Sequence, residues 1–498
     1  MFEKIEKKFG KIYIVIASIA TILMFTAVNL IHIFDGNIFN ILKTIFIVAL
    51  EIAILFIINK FIINKIADKK NRIFTIIGLI LFLILEIISY IYFKVEYNWD
   101  FKWIMESAIE MATTGKIEKI YYFKMCPNNL GALFLVTTAI KLFNNNVIGA
   151  YVLNILAIFF AAVFSVLVAR KFGGEKLGLN TIIILLGFMP MYLDSPIVYT
   201  DTLGILFPIA TLYFWILAKE QRKDKKRYYL FLSIIAVLTA VAYYVKANAA
   251  IVGIAILIED LFDFKKLWKP IVSTLLITVV LIKGIGIYND KFVVKDTRKN
   301  DLEIPLTHYL MIGLNTPVSE GGTSIGYGAY SEEDAKYTNE QKTYQDKITA
   351  NKIRIEQRLK DFGLNGYTKF LFKKFKYVWN DGSYYVLKTI GWDTINTESI
   401  LYRLVLGDLS ENFVKPFMTV HNDTIFVLSL YLVIRKCKCD DNIRVIGTSI
   451  VGSAIFLLFW EARSRYIYIL IPLFAILAAK SIADLSNNVK KIDSGNIK

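Results

Sequence analysis

Near-continuous apolar runs, most of them 17 to 23 residues long, recur along the whole chain with short polar stretches between them. At ~1.5 Å rise per residue, about 20 such residues cross a ~30 Å hydrocarbon core. The runs predict spans over 12–34, 41–60, 73–93, 147–169, 177–194, 203–219, 229–246, 247–263, 270–288, 420–435, 445–461 and 467–484. A soluble chain of 498 residues would instead divide into domains built from amphipathic helices. The expected fold is an all-α polytopic membrane protein with about 12 transmembrane helices. The first run is too long for a cleaved signal, and no small-residue cleavage site follows "HIFDGN".

Two stretches interrupt the pattern. They divide the chain into N-terminal helices (1–93), a first polar loop (94–146), a membrane core (147–288), a long mixed segment (289–416) and C-terminal helices with a tail (417–498). In the first loop, "FKWIMESAIEMATTG" has helical apolar spacing and stops at Gly115. "NLGALFLVTTAIKLF" (129–143) is apolar but too short to span, which suits an interface or re-entrant helix. In 289–416, "TNEQKTYQDKITANKIRIEQRLKDFG" predicts a surface helix. "YTKFLFKKFKYVWNDGSYYVLKTIGW" alternates aromatics with lysines, as expected of a helix lying on lipid; a small folded domain is the rival reading.

Charge adds orientation. The net charge is +16, but the Lys and Arg residues cluster between apolar runs, which is the positive-inside bias of membrane proteins and excludes a nucleic-acid role. Basic loops alternate with loops such as "DGNIFN" and "SPIVYTDT" that carry no Lys or Arg. The pattern predicts a multi-pass protein of the cell membrane with both termini cytoplasmic and 94–146 and 289–416 external. Three cysteines build no disulfide framework, and the C-x-C of Cys437 and Cys439 reads as two incidental thiols in a cytoplasmic loop.

Charged groups at a membrane boundary are costly and so mark function. Asp100 stands in "NWDFKW" between Trp99 and Trp103, and Asp201 ends the external turn "PMYLDSPIVYTD". Helix capping is the structural alternative for each. Arg463 and Arg465 in "WEARSRYIYILIP" fall on the external side, where their donor forks suit a phosphate; pairing with Glu461 or with lipid headgroups is the alternative. Lys124 in "YYFKMCPNN" and Lys246 in "YYVKANAA" are further cations, with snorkelling as the alternative for Lys246.

This order of features resembles the membrane-embedded GT-C glycosyltransferases, in particular bacterial relatives of the dolichyl-phosphate-mannose protein mannosyltransferases and of the aminoarabinose transferases. It runs from an external "WD" segment through "ARKFGGEKLG" and "SPIVYTDTLGILFP" to "EARSRYIYILIPLFAILAA", over 73–288 and 445–484. The resemblance implies a GT-C-like fold with external interface helices and a long external segment. It assigns the family's catalytic aspartate to Asp100 and its second aspartate to Asp201. It assigns its donor-facing lysine to Lys124, here in a pattern with one proline, and its C-terminal "RxRY" to Arg463, Arg465 and Tyr466. The aspartate loop follows the third run rather than the first, implying two extra N-terminal spans. The adjacent Asp-Glu pair of the protein mannosyltransferases is missing.

The implied reaction is inverting sugar transfer from a polyprenyl-phosphate donor to a hydroxyl of an envelope glycan, lipid or protein. Asp100 would act as general base, and Lys124, Lys246, Arg463 and Arg465 would meet the phosphate. Trp99, Trp103 and Tyr466 would border the substrates. His308, in a segment that resembles a loop of bacterial members, would help shape the acceptor site or be a surface histidine. No cofactor is required, and a divalent metal stays open. A lipid-linked saccharide flippase would place polar residues in paired broken helices, whereas Glu51 and Glu86 form no symmetric pair. A polysaccharide polymerase or ligase would rely on Arg and His in its large loop.

Overall fold

The computed structural model describes residues 2–34, 36–118, 120–293, 301–317, 326–392 and 394–495. Part of the glycine-rich segment expected near the acceptor site therefore lies outside the described residues. Ten helical segments among the described residues are long and apolar enough to cross a membrane, against the twelve expected. The first three are α1 (Phe2–Ile33), α2 (Ile38–Ile57) and α3 (Asp68–Tyr92). Next come α4 (Trp99–Thr114), α5 (Ile120–Met125) and α6 (Leu130–Leu142), all too short or too polar to span.

The shortfall has two causes. The predicted spans 147–169 and 177–194 belong to one helical run, α7 (Ile148–Gly187). It breaks into two helices at Gly173 and Gly174, the latter at φ 73°, a left-handed angle open to glycine at little cost. The second half ends at Gly187, so Asp194 lies beyond it, after the short α8 (Met189–Leu193). The run predicted over 247–263 forms a tight 3₁₀ turn, Ala247–Ala250, and only eleven helical residues in α12 (Ile251–Leu261). The remaining core helices are α9 (Thr200–Gly204), α10 (Leu206–Glu220), α11 (Lys225–Val245) and α13 (Phe264–Tyr288).

The elements of the long mixed segment are α14 (Leu306–Ile312), α15 (Glu332–Asn339), α16 (Tyr344–Trp379), α17 (Val386–Gly391) and α18 (Ile400–Val405). The chain closes with α19 (Lys415–Lys436), α20 (Asp441–Phe459) and α21 (Ile471–Gly495), the last preceded by a 3₁₀ turn, Ser464–Leu470.

The short helices follow their sequence signals. In α4, Phe101, Ile104, Met105, Ala108 and Ala112 bury one face, and Gly115 ends the helix at φ 74°. At 13 residues α6 is about 20 Å long, well short of the hydrocarbon thickness. It packs so closely on α11 that a Cβ on Gly131 would meet the Tyr244 carbonyl oxygen at 2.1 Å.

The long polar segment is folded more tightly than a helix resting on lipid. Asp334 of α15 is fully buried and accepts bonds from Arg354 (2.9 Å) and Arg358 (2.8 Å) of α16. The Lys374 ammonium, also fully buried, donates to the carbonyls of Gly313 (2.6 Å), Leu458 (3.0 Å) and Trp460 (2.6 Å). An ammonium has three donors, and here each finds an acceptor. Lysines in the aromatic stretch are thus not all lipid-facing, and the rival expectation, a small folded unit, describes α14–α16 better.

Two polar contacts fasten the N-terminal helices. His32 of α1 pairs with Asp423 of α19 at 2.6 Å, and Glu51 of α2 pairs with His421 of α19 at 2.5 Å. Such groups are retained among apolar helices only when paired. They explain how α2, otherwise almost wholly apolar on its exposed faces, is held in register.

Candidate active site

The two polar segments hydrogen-bond to each other at one end of the bundle. The Ile395 amide donates to the Lys94 carbonyl (2.9 Å) and the Ile304 amide to the Met125 carbonyl (2.9 Å). That junction also receives the α8–α9 turn, the turn after α11 and the segment between α20 and α21. Every candidate aspartate, arginine and lysine lies on one of these pieces.

Asp100 is not a helix cap. The N-cap position of α4 is Asn98, and the Asp100 carboxylate turns away to accept from the Tyr122 hydroxyl (2.9 Å, Oδ1) and the Tyr199 hydroxyl (3.0 Å, Oδ2). Tyr122 in turn accepts from Asn129 Nδ2 at 2.5 Å and stacks on Trp103 with ring centroids 5.4 Å apart. Asp201 is not a cap either: Tyr199 holds that position in α9, and Thr202 closes the turn. Asp201 Oδ1 instead meets Lys246 Nζ at 2.6 Å, and Oδ2 lies 3.7 Å from Arg465 Nε. Gly204 allows this approach, since a Cβ there would stand 3.1 Å from the Lys246 Cβ.

Aromatic rings enclose the cations. Arg465 lies over Trp99 (5.0 Å), Tyr199 (5.3 Å) and Tyr466 (5.4 Å), and the Lys246 ammonium lies 4.2 Å from the Tyr466 ring centroid. Tyr466 donates to Glu461 (2.8 Å), and its own carbonyl accepts from Asn248 (2.8 Å). Around Asp201, then, two cations face one carboxylate. Arg463 is set apart: it donates to the Tyr385 hydroxyl and lies 5.0 Å from that ring's centroid. Ser464 ties the same segment to Asp381 at 2.6 Å. Lys124 sits on α5, two residues after Tyr122.

Backbone strain gathers here. Trp99 (φ 39°), Tyr384 (φ 52°) and Tyr385 (φ 67°) are three of the five non-glycine residues with positive φ among the described residues. Aromatic side chains rarely adopt this region, and surrounding structure must hold them there.

The structure adds residues that the sequence motifs did not single out. Tyr122, Tyr199 and Tyr385 hold Asp100 and Arg463, and each could be found only as an aromatic near a motif. Asp194, seven residues before Asp201, lines the same cavity as Trp99, Tyr199, Asp201, Thr389 and Arg465. Burial, reinforced by the nearby Asp201 charge, pushes its carboxyl up to about 8.

His308 departs from expectation. It is neither at the surface nor among these residues: its ring is buried between α14 and α15 and bonds Thr338 Oγ1 at 2.7 Å. Burial pulls it down to about 4, so it is a neutral core residue of the folded α14–α16 unit. Among the described residues, no three His, Cys, Asp or Glu side chains converge as a metal would require.

Fold and site together define a polytopic helical membrane protein with a polar, strained, cation-bearing pocket at one end of its bundle. The chain belongs to the family described as conserved hypothetical integral membrane proteins, whose model matches residues 1–485. No curated protein is detectably similar to it. Solved structures similar to it include that of ArnT from Cupriavidus metallidurans bound to undecaprenyl phosphate, with 13% identity and a TM-score of 0.35 over 81% of this chain and 77% of that one. The same protein in its apo state shows 12% identity and a TM-score of 0.39 over the same shares.

Proposed function

We propose that this protein is a membrane glycosyltransferase that moves a sugar from a polyprenyl-phosphate carrier to a hydroxyl of a cell-envelope acceptor, with inversion. The observation that carries the reading is the Asp100 carboxylate. It is held by two phenols, and the ring of one of them, Tyr199, also packs against the Arg465 guanidinium. A base and a cation pair thus share one aromatic wall, beside a boundary where a lipid-anchored donor can reach.

Asp100 accepts the proton of the attacking hydroxyl. The hydroxyl oxygen bonds the anomeric carbon as the bond from that carbon to the phosphate oxygen breaks. The charge that grows on the phosphate is met by Arg465 and Lys246, with Arg463 and Lys124 as outer cations. Two hydrogen bonds from tyrosines fix the carboxylate's orientation and leave its remaining lone pairs for the acceptor. A phosphate leaving group stabilised by Lys and Arg needs no metal.

The test is transfer by purified protein in proteoliposomes, from labelled undecaprenyl-phosphate glucose or mannose to an envelope fraction, with and without chelator. Asp100→Asn keeps the shape but cannot accept the proton, and turnover should fall at least ~10²-fold. Movement of the lipid across the bilayer without transfer would make the protein a flippase. Near-normal turnover in folded Asp100→Asn protein would remove Asp100 as the base.

A further inference from the structure

We propose that Asp194, Trp99 and Thr389 form the subsite that grips hydroxyls of the transferred sugar, so that Asp194 determines which sugar is used. This rests on the glycosyl-transfer reading and adds the recognition element which that reading lacks.

The three residues border one cavity with Asp201 and Arg465. Most polar groups there are already committed. Asp201 is matched by Lys246 and Arg465, the Tyr199 hydroxyl by Asp100, and the Tyr384 hydroxyl by Asn422 at 2.7 Å. Two groups are not. Trp99 Nε1 is buried without a hydrogen-bond partner among the described residues. Asp194, only 7% exposed, receives one long bond of 3.4 Å from the Thr389 hydroxyl, which is better bonded to the Val386 carbonyl at 2.9 Å.

An indole N–H only donates, whereas a carboxyl group can accept. A ligand satisfying both must accept at one point and donate at another, as a sugar hydroxyl does. A phosphate could take the indole N–H, but it is better served by the Lys246–Arg465 wall. A simple cation would meet the Arg465 guanidinium, which lies 5.0 Å from the Trp99 ring centroid. Burial, which raises the Asp194 carboxyl to about 8, also suits a hydroxyl, because the neutral acid both donates and accepts.

The position fits the donor's geometry. Thr389 sits on α17, directly after Tyr385, the partner of Arg463. One short segment therefore touches both the phosphate side and the sugar side of the pocket. Buried groups left unpaired by the wrong ligand discriminate strongly, more than apolar contacts do.

The test compares binding of undecaprenyl phosphate with binding of undecaprenyl-phosphate glucose, mannose and galactose by the full chain in nanodiscs. Wild type should bind one sugar lipid more tightly than the bare phosphate lipid. In Asp194→Ala that preference should fall about tenfold, with bare-lipid affinity within about twofold of wild type. Asp194→Asn, which keeps a donor and an acceptor, should retain most of it, and Thr389→Val serves if Asp194→Ala does not fold. An unchanged preference in Asp194→Ala or, failing that, in Thr389→Val overturns the subsite while leaving the transfer reading intact. Wild type that binds none of the four lipids overturns the transfer reading itself.

Discussion

Lys246 Nζ stands 2.6 Å from Asp201 Oδ1, forty-five residues away in sequence, and the other oxygen of the same carboxylate faces Arg465. This pairing separates the two aspartates by role. On the proposed reading Asp201, occupied by its ion pairs, positions Lys246 and Arg465, while Asp100, held by the hydroxyls of Tyr122 and Tyr199, is the base.

Asp201→Asn should therefore act on donor binding. Without the carboxylate the two cations repel each other and lose their fixed directions. Apparent donor KM should rise roughly tenfold, an effect of ~1.4 kcal/mol, with turnover reduced less. Steady-state kinetics across donor concentrations check this against Asp100→Asn, where the loss should fall on kcat. Loss of kcat at unchanged KM in Asp201→Asn would transfer the base role to Asp201.

Much of the architecture was legible because apolar runs report membrane crossing directly. The short helices α4 and α6 and the Gly115 stop followed from spacing and length. The merged α7 run and the short α12 were not legible, since a hydropathy pattern cannot distinguish a glycine break from a loop, or a short apolar helix from a span. In the site, the structure brings together Asp201, Lys246 and Arg465, and sets Asp100 against Tyr199 on the same wall, all residues singled out from sequence. The sequence suggested caps that the structure assigns to Asn98 and Tyr199. Asp194 escaped notice because its proximity to Thr389 spans 195 residues, and the burial of His308 leaves no local signature in sequence.

Asp194 should leave a mark on stability. Its carboxyl ionises near 3.8 when unfolded and is raised to about 8 in the fold, so between these values the folded chain binds the extra proton. Its contribution is full below the lower value and is lost as pH rises through the upper one. Wild type should accordingly lose stability relative to Asp194→Asn from about pH 4 to about pH 8, with little further change above. Melting curves in one detergent across this range measure the difference. A constant gap between the two proteins would place an ionised Asp194 in the fold.

The His–carboxylate pairs should stabilise the N-terminal helices. His32→Ala leaves Asp423, 2% exposed, without its ring partner. Leaving a buried polar group unpaired costs ~1–3 kcal/mol. The variant should melt well below wild type, and the double variant His32→Ala/Asp423→Asn should recover part of the loss. Equal melting temperatures for wild type and His32→Ala would mean that helix packing alone holds α1.

Lys374 ties the α14–α16 unit to the segment that carries the arginines. Its ammonium bonds the carbonyls of Leu458 and Trp460, immediately before Glu461, and that of Gly313 at the end of α14. Gly313 is pressed so close that a Cβ would stand 2.4 Å from the Phe459 carbonyl oxygen, so the ammonium fills a fixed socket. Lys374→Met keeps the length and the apolar stem but leaves buried carbonyls unpaired, at ~1–3 kcal/mol for such a group. The melting temperature should drop by several degrees. Because residues 458–460 lead directly into Arg463 and Arg465, donor KM should also rise, with Asp100 and its phenols undisturbed. Lys374→Arg should not rescue, since the planar guanidinium cannot match three acceptors arranged around one nitrogen. Thermal melts and donor titrations on the same preparations decide it. A Lys374→Met protein that melts lower but binds donor as wild type does would confine the lysine to stability. One that matches wild type in both would show that the socket closes without it.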